Sequence, residues 1–195
     1  MSTVKTLIEG YVRQDGVDEY ASSSVTLIRD GDLNILVDVG MDRERLLDAL
    51  SNEDLMPVDI DFVVLTHTHL DHCLLAGIFE NAKILDDSGI YSFDGKITEH
   101  SGKIPGTDIE IIPTPGHDQH HCAVLVKTDD LGKVAIVADL FWWEDDQEQK
   151  TDRMSLLNLK DSYLNDGIVL KKSREKILKM ADYIIPGHGR AFKLQ

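Results

Sequence analysis

Residues 60–66 form a run rich in β-branched and apolar side chains, and it ends directly on Thr66-His67-Thr68-His69-Leu70-Asp71-His72. No other feature constrains the chain so tightly. Three imidazoles and one carboxylate fall within six positions at the mouth of a strand. His67 and His69, two apart in an extended segment, can aim at one ion. Asp71 and His72 lie one turn further on, where a helix is expected to begin, and can face a neighbouring ion. A carboxylate there is also favoured by the helix dipole. Nitrogen and oxygen ligands of this kind suit zinc, manganese or iron better than calcium or magnesium. A chance cluster of exposed histidines is the competing explanation, and ligand number and spacing weigh against it.

The length of 195 residues allows one substantial core, so a single domain over residues 1–195 is expected. An apolar fraction of 42% and a charged fraction of 28% are those of a soluble globular protein. No apolar run approaches the length of a membrane span, and residues 1–10 lack a signal-peptide pattern, so a cytoplasmic location is the expectation. The net charge of −15, from 35 acidic and 20 basic side chains, repels phosphate backbones and anionic membranes. That favours a small-molecule substrate over nucleic acid. The basic residues that could argue otherwise, Lys171, Lys172, Arg174, Lys176 and Lys179, read as the solvated face of an amphipathic helix. Two divalent cations would reverse the sign of the field inside a pocket. Cys73 and Cys122 each adjoin a histidine, yet no C-x-x-C pair is present. They read as small buried hydrophobes rather than ligands or a disulfide.

Along the chain, residues 4–12 read as a strand, and residues 24–29 and 33–39 as a hairpin around Asp30-Gly31. Residues 43–51 read as a helix with Leu46, Leu47 and Leu50 inward. Short strands are expected near residues 83–85, 109–113, 122–127 and 134–138, with Pro113 and Pro115 marking an extended exit. Residues 142–160 read as an acidic loop leading into a helix, and residues 171–181 as a second helix. A last strand over 183–185 is closed by Pro186-Gly187-His188-Gly189. Two packed sheets covered by helices fit this order.

The segment His67-Thr68-His69-Leu70-Asp71-His72 resembles the His-x-His-x-Asp-His signature of the metallo-β-lactamase superfamily. Other elements follow in that family's order. Thr114-Pro115-Gly116-His117 resembles its next ligand loop, and Val137-Ala138-Asp139 the strand that ends in its bridging aspartate. Pro186-Gly187-His188-Gly189 resembles its final histidine loop. Val37-Asp38-Val39-Gly40 resembles the strand end whose aspartate supports the first histidines. The tail, from Val137-Ala138-Asp139-Leu140-Phe141 through Lys172-Ser173-Arg174-Glu175-Lys176 to residues 181–189, is similar to a compact branch of the superfamily with few domain additions.

The resemblance implies a four-layered αβ/βα sandwich with metals at one edge between the sheets. It also implies a ligand set. His67, His69 and His117 would bind one ion, Asp71, His72 and His188 a second, and Asp139 would bridge them. Two divalent ions are expected, zinc first, with manganese or iron as alternatives. A water shared by the ions would be activated for attack on an electrophilic carbonyl or phosphorus, with Asp71 as the catalytic group that orients it or takes its proton. Asp38 is expected to hold an imidazole N–H, although it could simply end a strand. His120 could line the pocket and shuttle protons, or His120 and His121 could be polar loop residues. Phe141, Trp142 and Trp143 could form an apolar wall over the metals, or serve as core or as a homodimer contact. His100 reads as exposed.

Departures narrow the substrate. Asp139 stands where true β-lactamases of this family carry a cysteine, and His69 where diiron flavoproteins carry an acid. With 195 residues, neither the extra domains of the large nucleases nor the C-terminal helical domain of glyoxalase II is expected. Tryptophan stands where quorum-quenching lactonases carry tyrosine. A small ester, thioester or lactone is the expected substrate, with an RNA phosphodiester as the rival. A mononuclear iron dioxygenase acting on persulfides and a silent metal-binding module are the non-hydrolytic alternatives.

Overall fold

A computed structural model describes residues 2–194. Its strands are β1 (Ser2–Ile8), β2 (Tyr11–Asp15), β3 (Asp18–Ser22), β4 (Val25–Asp30), β5 (Leu33–Val37), β6 (Phe62–Val64), β7 (Lys83–Leu85), β8 (Ile90–Tyr91), β9 (Ile97–Thr98), β10 (Glu110–Pro113), β11 (Cys122–Thr128), β12 (Gly132–Trp142), β13 (Tyr183–His188) and β14 (Phe192–Lys193). Its helices are α1 (Arg43–Ser51), α2 (Leu70–Cys73), α3 (Arg153–Leu157) and α4 (Gly167–Met180). One sheet has the order β1-β4-β5-β6-β7-β8-β9, the other β10-β11-β12-β13-β14, and β2 and β3 form a separate hairpin.

Period-two alternation decides which side chains face which layer. Ile28, Ile35, Val37, Phe62 and Val64 of the first sheet pack between the sheets against Val124, Val126, Val134 and Ile136 of the second. Their neighbours Leu27, Leu36 and Val63 point the other way, where Leu46 and Leu50 of α1 and Phe79 cover them. On the far side, Ala123, Leu125, Ala135 and Val137 are covered by Leu156 of α3 and by Leu170, Ile177 and Leu178 of α4. Helix, sheet, sheet and helix thus stack as the expected four-layered α/β sandwich.

Several local expectations are corrected. Residues 4–12 are not one strand: β1 stops at Ile8, and the chain re-enters at Tyr11 as a hairpin. The cause is Gly10, where a Cβ would lie 2.0 Å from the carbonyl oxygen of Gly187, so the backbones touch there. Strand β12 runs on through Trp142 instead of ending at Ala138, and α4 begins at Gly167, capped by the Asp166 carboxylate, which accepts from the Ile168 and Val169 N–H groups. Arg174 is buried rather than on a solvated face, and Cys73 is partly exposed rather than buried. His100 is only partly exposed, and both its ring nitrogens are engaged, one by Asp86 O at 2.9 Å and one by the Gly102 N–H at 3.0 Å. Among the described residues no helix is long and apolar enough to cross a membrane.

Candidate metal centre

The candidate ligand residues come from loops, the short helix α2 and the ends of β12 and β13, and two residues in unusual backbone conformations aim them. Asp38, just past β5, has φ of 53°, and Ala138 has φ of 42°. Non-glycine residues in the left-handed region cost of order 1–3 kcal/mol and persist where the surroundings over-determine them. Ala138 coincides with a register break between β12 and β13, the kind of irregularity that re-aims a side chain. Here it turns Asp139 toward the histidines. Gly187 leaves the space: a Cβ at that position would lie 2.0 Å from Asp139 Oδ1.

Two groups of ligand atoms result, His67, His69, His117 and Asp139 in one, and Asp71, His72 and His188 in the other. His67 Nε2 and His117 Nε2 lie 3.0 and 3.2 Å from His69 Nδ1. In the second group, Asp71 Oδ2 is 3.6 Å from His72 Nε2 and 3.2 Å from His188 Nε2. Donors placed ~2.0–2.1 Å from a tetrahedral zinc stand roughly 3.3 Å apart. The Asp139 carboxylate divides between the groups. Its Oδ2 is 3.3 Å from His117 Nε2 and 3.7 Å from His67 Nε2, while its Oδ1 is 3.2 Å from His72 Nε2 and 3.5 Å from His188 Nε2.

The outward nitrogens fix the rings. His72 Nδ1 donates to Asp38 Oδ2 at 2.8 Å, and Asp38 also accepts from Thr66 N at 2.9 Å and Thr66 Oγ1 at 2.8 Å. His67 Nδ1 stands 3.1 Å from the same Thr66 hydroxyl. Asp38 therefore supports two imidazoles, one directly and one through Thr66. His117 Nδ1 donates to Asp161 Oδ2 at 2.8 Å, and His188 Nδ1 to Tyr11 O at 3.1 Å. With Nδ1 occupied in this way, each of these rings directs Nε2 inward, the arrangement that metal-bound histidines generally need.

Electrostatics agree with a cation at this place. His72 Nε2 and Asp139 Oδ1 are buried without a hydrogen-bond partner, which is costly unless an ion satisfies them. Burial opposes the charge on His72, yet Asp139 and Asp38 together hold its pKa well above the ordinary value. Burial likewise works to raise Asp139, and His72 and His188 outweigh it, holding that carboxylate well below its usual range. For His67, burial and the charge of His72 push the pKa well down, so this ring keeps its lone pair. The donor set therefore fits divalent metal ions.

With this geometry established, comparison with known proteins is decisive. The model of the metallo-beta-lactamase superfamily matches residues 20–86. Metallo-beta-lactamase domain-containing protein 1 of Xenopus laevis is 35% identical over 202 residues, covering 98% of this chain and 82% of that protein. The chain belongs to the metallo-β-lactamase superfamily. A probable metallo-hydrolase of Methanocaldococcus jannaschii is 33% identical over 189 residues, covering 95% and 86% of the two chains. A solved putative metallo-beta-lactamase of Thermotoga maritima has the same fold, with a TM-score of 0.73 at 20% identity over 98% of this chain and 99% of that one. The chain is thus a metallo-β-lactamase-fold hydrolase.

Some singled-out residues lie elsewhere in this metallo-β-lactamase fold. His120 is exposed and its Nδ1 is 3.2 Å from Asp87 Oδ2, so it faces the surface rather than the ligands. His121 is buried, with its ring 5.1 Å from that of His67 and its Nδ1 2.8 Å from Thr114 Oγ1. Phe141 is wholly buried in the core under α4 and forms no wall over the metals. Trp143 packs there too, 6.0 Å from Phe192. Trp142 alone of the three borders the site, 6.4 Å from the His188 ring and 5.8 Å from that of Tyr163. Asp161 is the functional residue that sequence reasoning missed. It lies 44 residues from the histidine it holds, and no local pattern marks it. A cleft of about 780 Å³ lies behind the His188 cradle, lined by Tyr11, Arg45, Glu144, Gly189 and Arg190 among others. The chemistry belongs to the histidine cluster instead, since that is where the orphaned ligand atoms converge.

Proposed function

We propose that the protein is a dinuclear hydrolase of a small ester, thioester or lactone. The observation that carries this reading is the division of the Asp139 carboxylate, with one oxygen toward each ligand group. His67, His69 and His117 would hold one ion, Asp71, His72 and His188 the other, and Asp139 both, with zinc the expected metal. Bound there, divalent ions supply Lewis acidity, lowering the pKa of a water and polarising the substrate oxygen.

The chain's own residues do the rest. Asp71 is less enclosed than Asp139, with 20% of its side chain exposed against 8%. Burial works to raise its pKa, and the His188 and His72 rings outweigh burial and lower it. Asp71 is therefore ionised at neutral pH, and its carboxylate orients the attacking water and accepts its proton. Asp38 and Asp161 keep the imidazoles from rotating as charge develops.

A substrate with an apolar arm is favoured by the surroundings. Leu70 sits between His69 and Asp71 and is 66% exposed. Tyr163 and Leu164 are also exposed, on the loop whose Asn165 N–H donates to His117 O at 3.0 Å. The Tyr163 ring lies 5.8 Å from that of Trp142, which is 6.4 Å from the His188 ring, so aromatic side chains stand beside the centre, on a chain whose charge of −15 disfavours polyanions.

The test is metal content followed by turnover. Elemental analysis of protein purified without chelators should give close to two zinc, manganese or iron ions per chain. The protein should then hydrolyse p-nitrophenyl acetate or an acyl lactone faster than bis-p-nitrophenyl phosphate. A single iron per chain, with oxygen consumed in the presence of a persulfide, would overturn the reading.

A further inference from the structure

Arg174 is 3% exposed, on the inward side of α4. Its Nε donates to Leu140 O at 2.9 Å and its Nη1 to Leu159 O at 2.6 Å, while the guanidinium carbon lies 5.7 Å from the centroid of the Phe141 ring. Burial lowers its pKa to about 10, so it remains cationic at neutral pH. A buried cation is costly, and an apolar side chain would pack the same helix face without that cost. The carbonyls it binds explain why a cation stands here. Leu140 directly follows Asp139, and Leu159 precedes Asp161 by two positions. The neighbouring Ser173 Oγ donates to Pro115 O at 2.7 Å, two positions before His117.

Adjacent side chains of α4 thus grip all three segments that carry Asp139, Asp161 and His117. The helix N-terminus reinforces the grip. Asp166 N donates to Gly116 O at 2.8 Å, and Gly116 is so close that a Cβ there would lie 2.3 Å from Leu170 Cα. A guanidinium is a rigid planar fork able to hold two carbonyls at a fixed separation, whereas an ammonium is a single point charge on a flexible stem.

We propose that Arg174 is a positioning residue for the first metal site, its fork fixing the Asp139 strand exit against the Asp161 loop so that Asp139 and His117 meet in ligating geometry. This rests on the dinuclear reading above. Arg174 touches no ligand itself and acts through Leu140 and Leu159.

The test uses the full chain, stripped with chelator and titrated with cobalt(II), followed by visible absorption and calorimetry. Asp161→Asn identifies which equivalent depends on His117. Arg174→Lys keeps the charge and loses the fork, and it should weaken that same equivalent on the order of tenfold and the other, which shares only Asp139, distinctly less. Ser173→Ala, a milder change, should weaken the same equivalent to a smaller degree, and Lys172→Ala on the exposed face should weaken neither. Equal weakening of both equivalents in Arg174→Lys, in step with lost thermal stability, would overturn the proposal, as would no weakening. If the wild-type chain takes up only one cobalt ion, the dinuclear reading fails. Arg174 is then judged on that ion, and an unchanged affinity in Arg174→Lys refutes its role.

Discussion

Replacing His121 by Asn should change how stability responds to acid. The ring is 1% exposed, its Nδ1 pairs with Thr114 Oγ1, and its Nε2 is buried without a partner. Burial, followed by the charge of His117, lowers its pKa to about 3, whereas an unfolded-chain histidine titrates near ~6.5. Between those values the unfolded chain binds a proton that the folded protein does not, so stability falls as pH drops below ~6.5. Each unit costs about 1.4 kcal/mol, which gives about 2 kcal/mol on going from pH 7 to pH 5. Asn can keep the contact with Thr114 and has no proton to gain. Its cavity therefore imposes a cost that does not depend on pH, and the other histidines titrate in both proteins and cancel. Urea unfolding of wild type and His121→Asn at both pH values measures the effect. The wild type should lose about 2 kcal/mol more than the variant between pH 7 and pH 5. Nearby metal ions would push the ring further toward neutrality, so bound metal preserves the direction. Parallel stability curves, with a constant gap at both pH values, would refute the burial argument.

Three further outcomes follow from the site. Asp139→Ala should abolish turnover and lower metal content in elemental analysis, while far-UV circular dichroism stays unchanged; full activity would rule out a bridging carboxylate. Asp161→Asn should weaken metal binding by on the order of 10–100-fold in a competition titration, since the His117 N–H loses an ionised acceptor. Gly187→Ala would place a methyl 2.0 Å from Asp139 Oδ1 and should lower metal content in elemental analysis; a folded variant with wild-type metal content would refute the role of this glycine in seating Asp139.

The layers of the fold were legible because alternation at Ile28, Ile35, Val37, Val124 and Val126 is a local, period-two signal. So was the grouping of His67, His69, Asp71 and His72, which adjoin in sequence and converge in space, and Asp38 lies 2.8 Å from His72 Nδ1. What stayed hidden depends on distant packing. Asp161 gains its role only because the loop before α4 folds back onto His117. Arg174 reads in sequence as one more cation of a basic run, and the carbonyls of Leu140 and Leu159 that it meets inside belong to distant segments. Phe141 and Trp142 are neighbours in an aromatic run, and the pleat of β12 sends one to the core and the other to the site. The β2–β3 hairpin was missed because its strands are polar and largely exposed, so hydrophobic periodicity gives no signal there.

The close approach of Gly10 to Gly187 also sets the order in which the protein can assemble. His188 and the Tyr11 carbonyl that orients it are 177 residues apart in sequence, and Ser24 N reaches Gly187 O at 2.7 Å. Contacts of such long range form only after the entropy of closing the intervening chain has been met. The second ligand group therefore cannot be complete in any partly folded chain that lacks β13, however well the first sheet has formed. Uptake of a full metal complement would serve as a clock for the final docking of the two sheets.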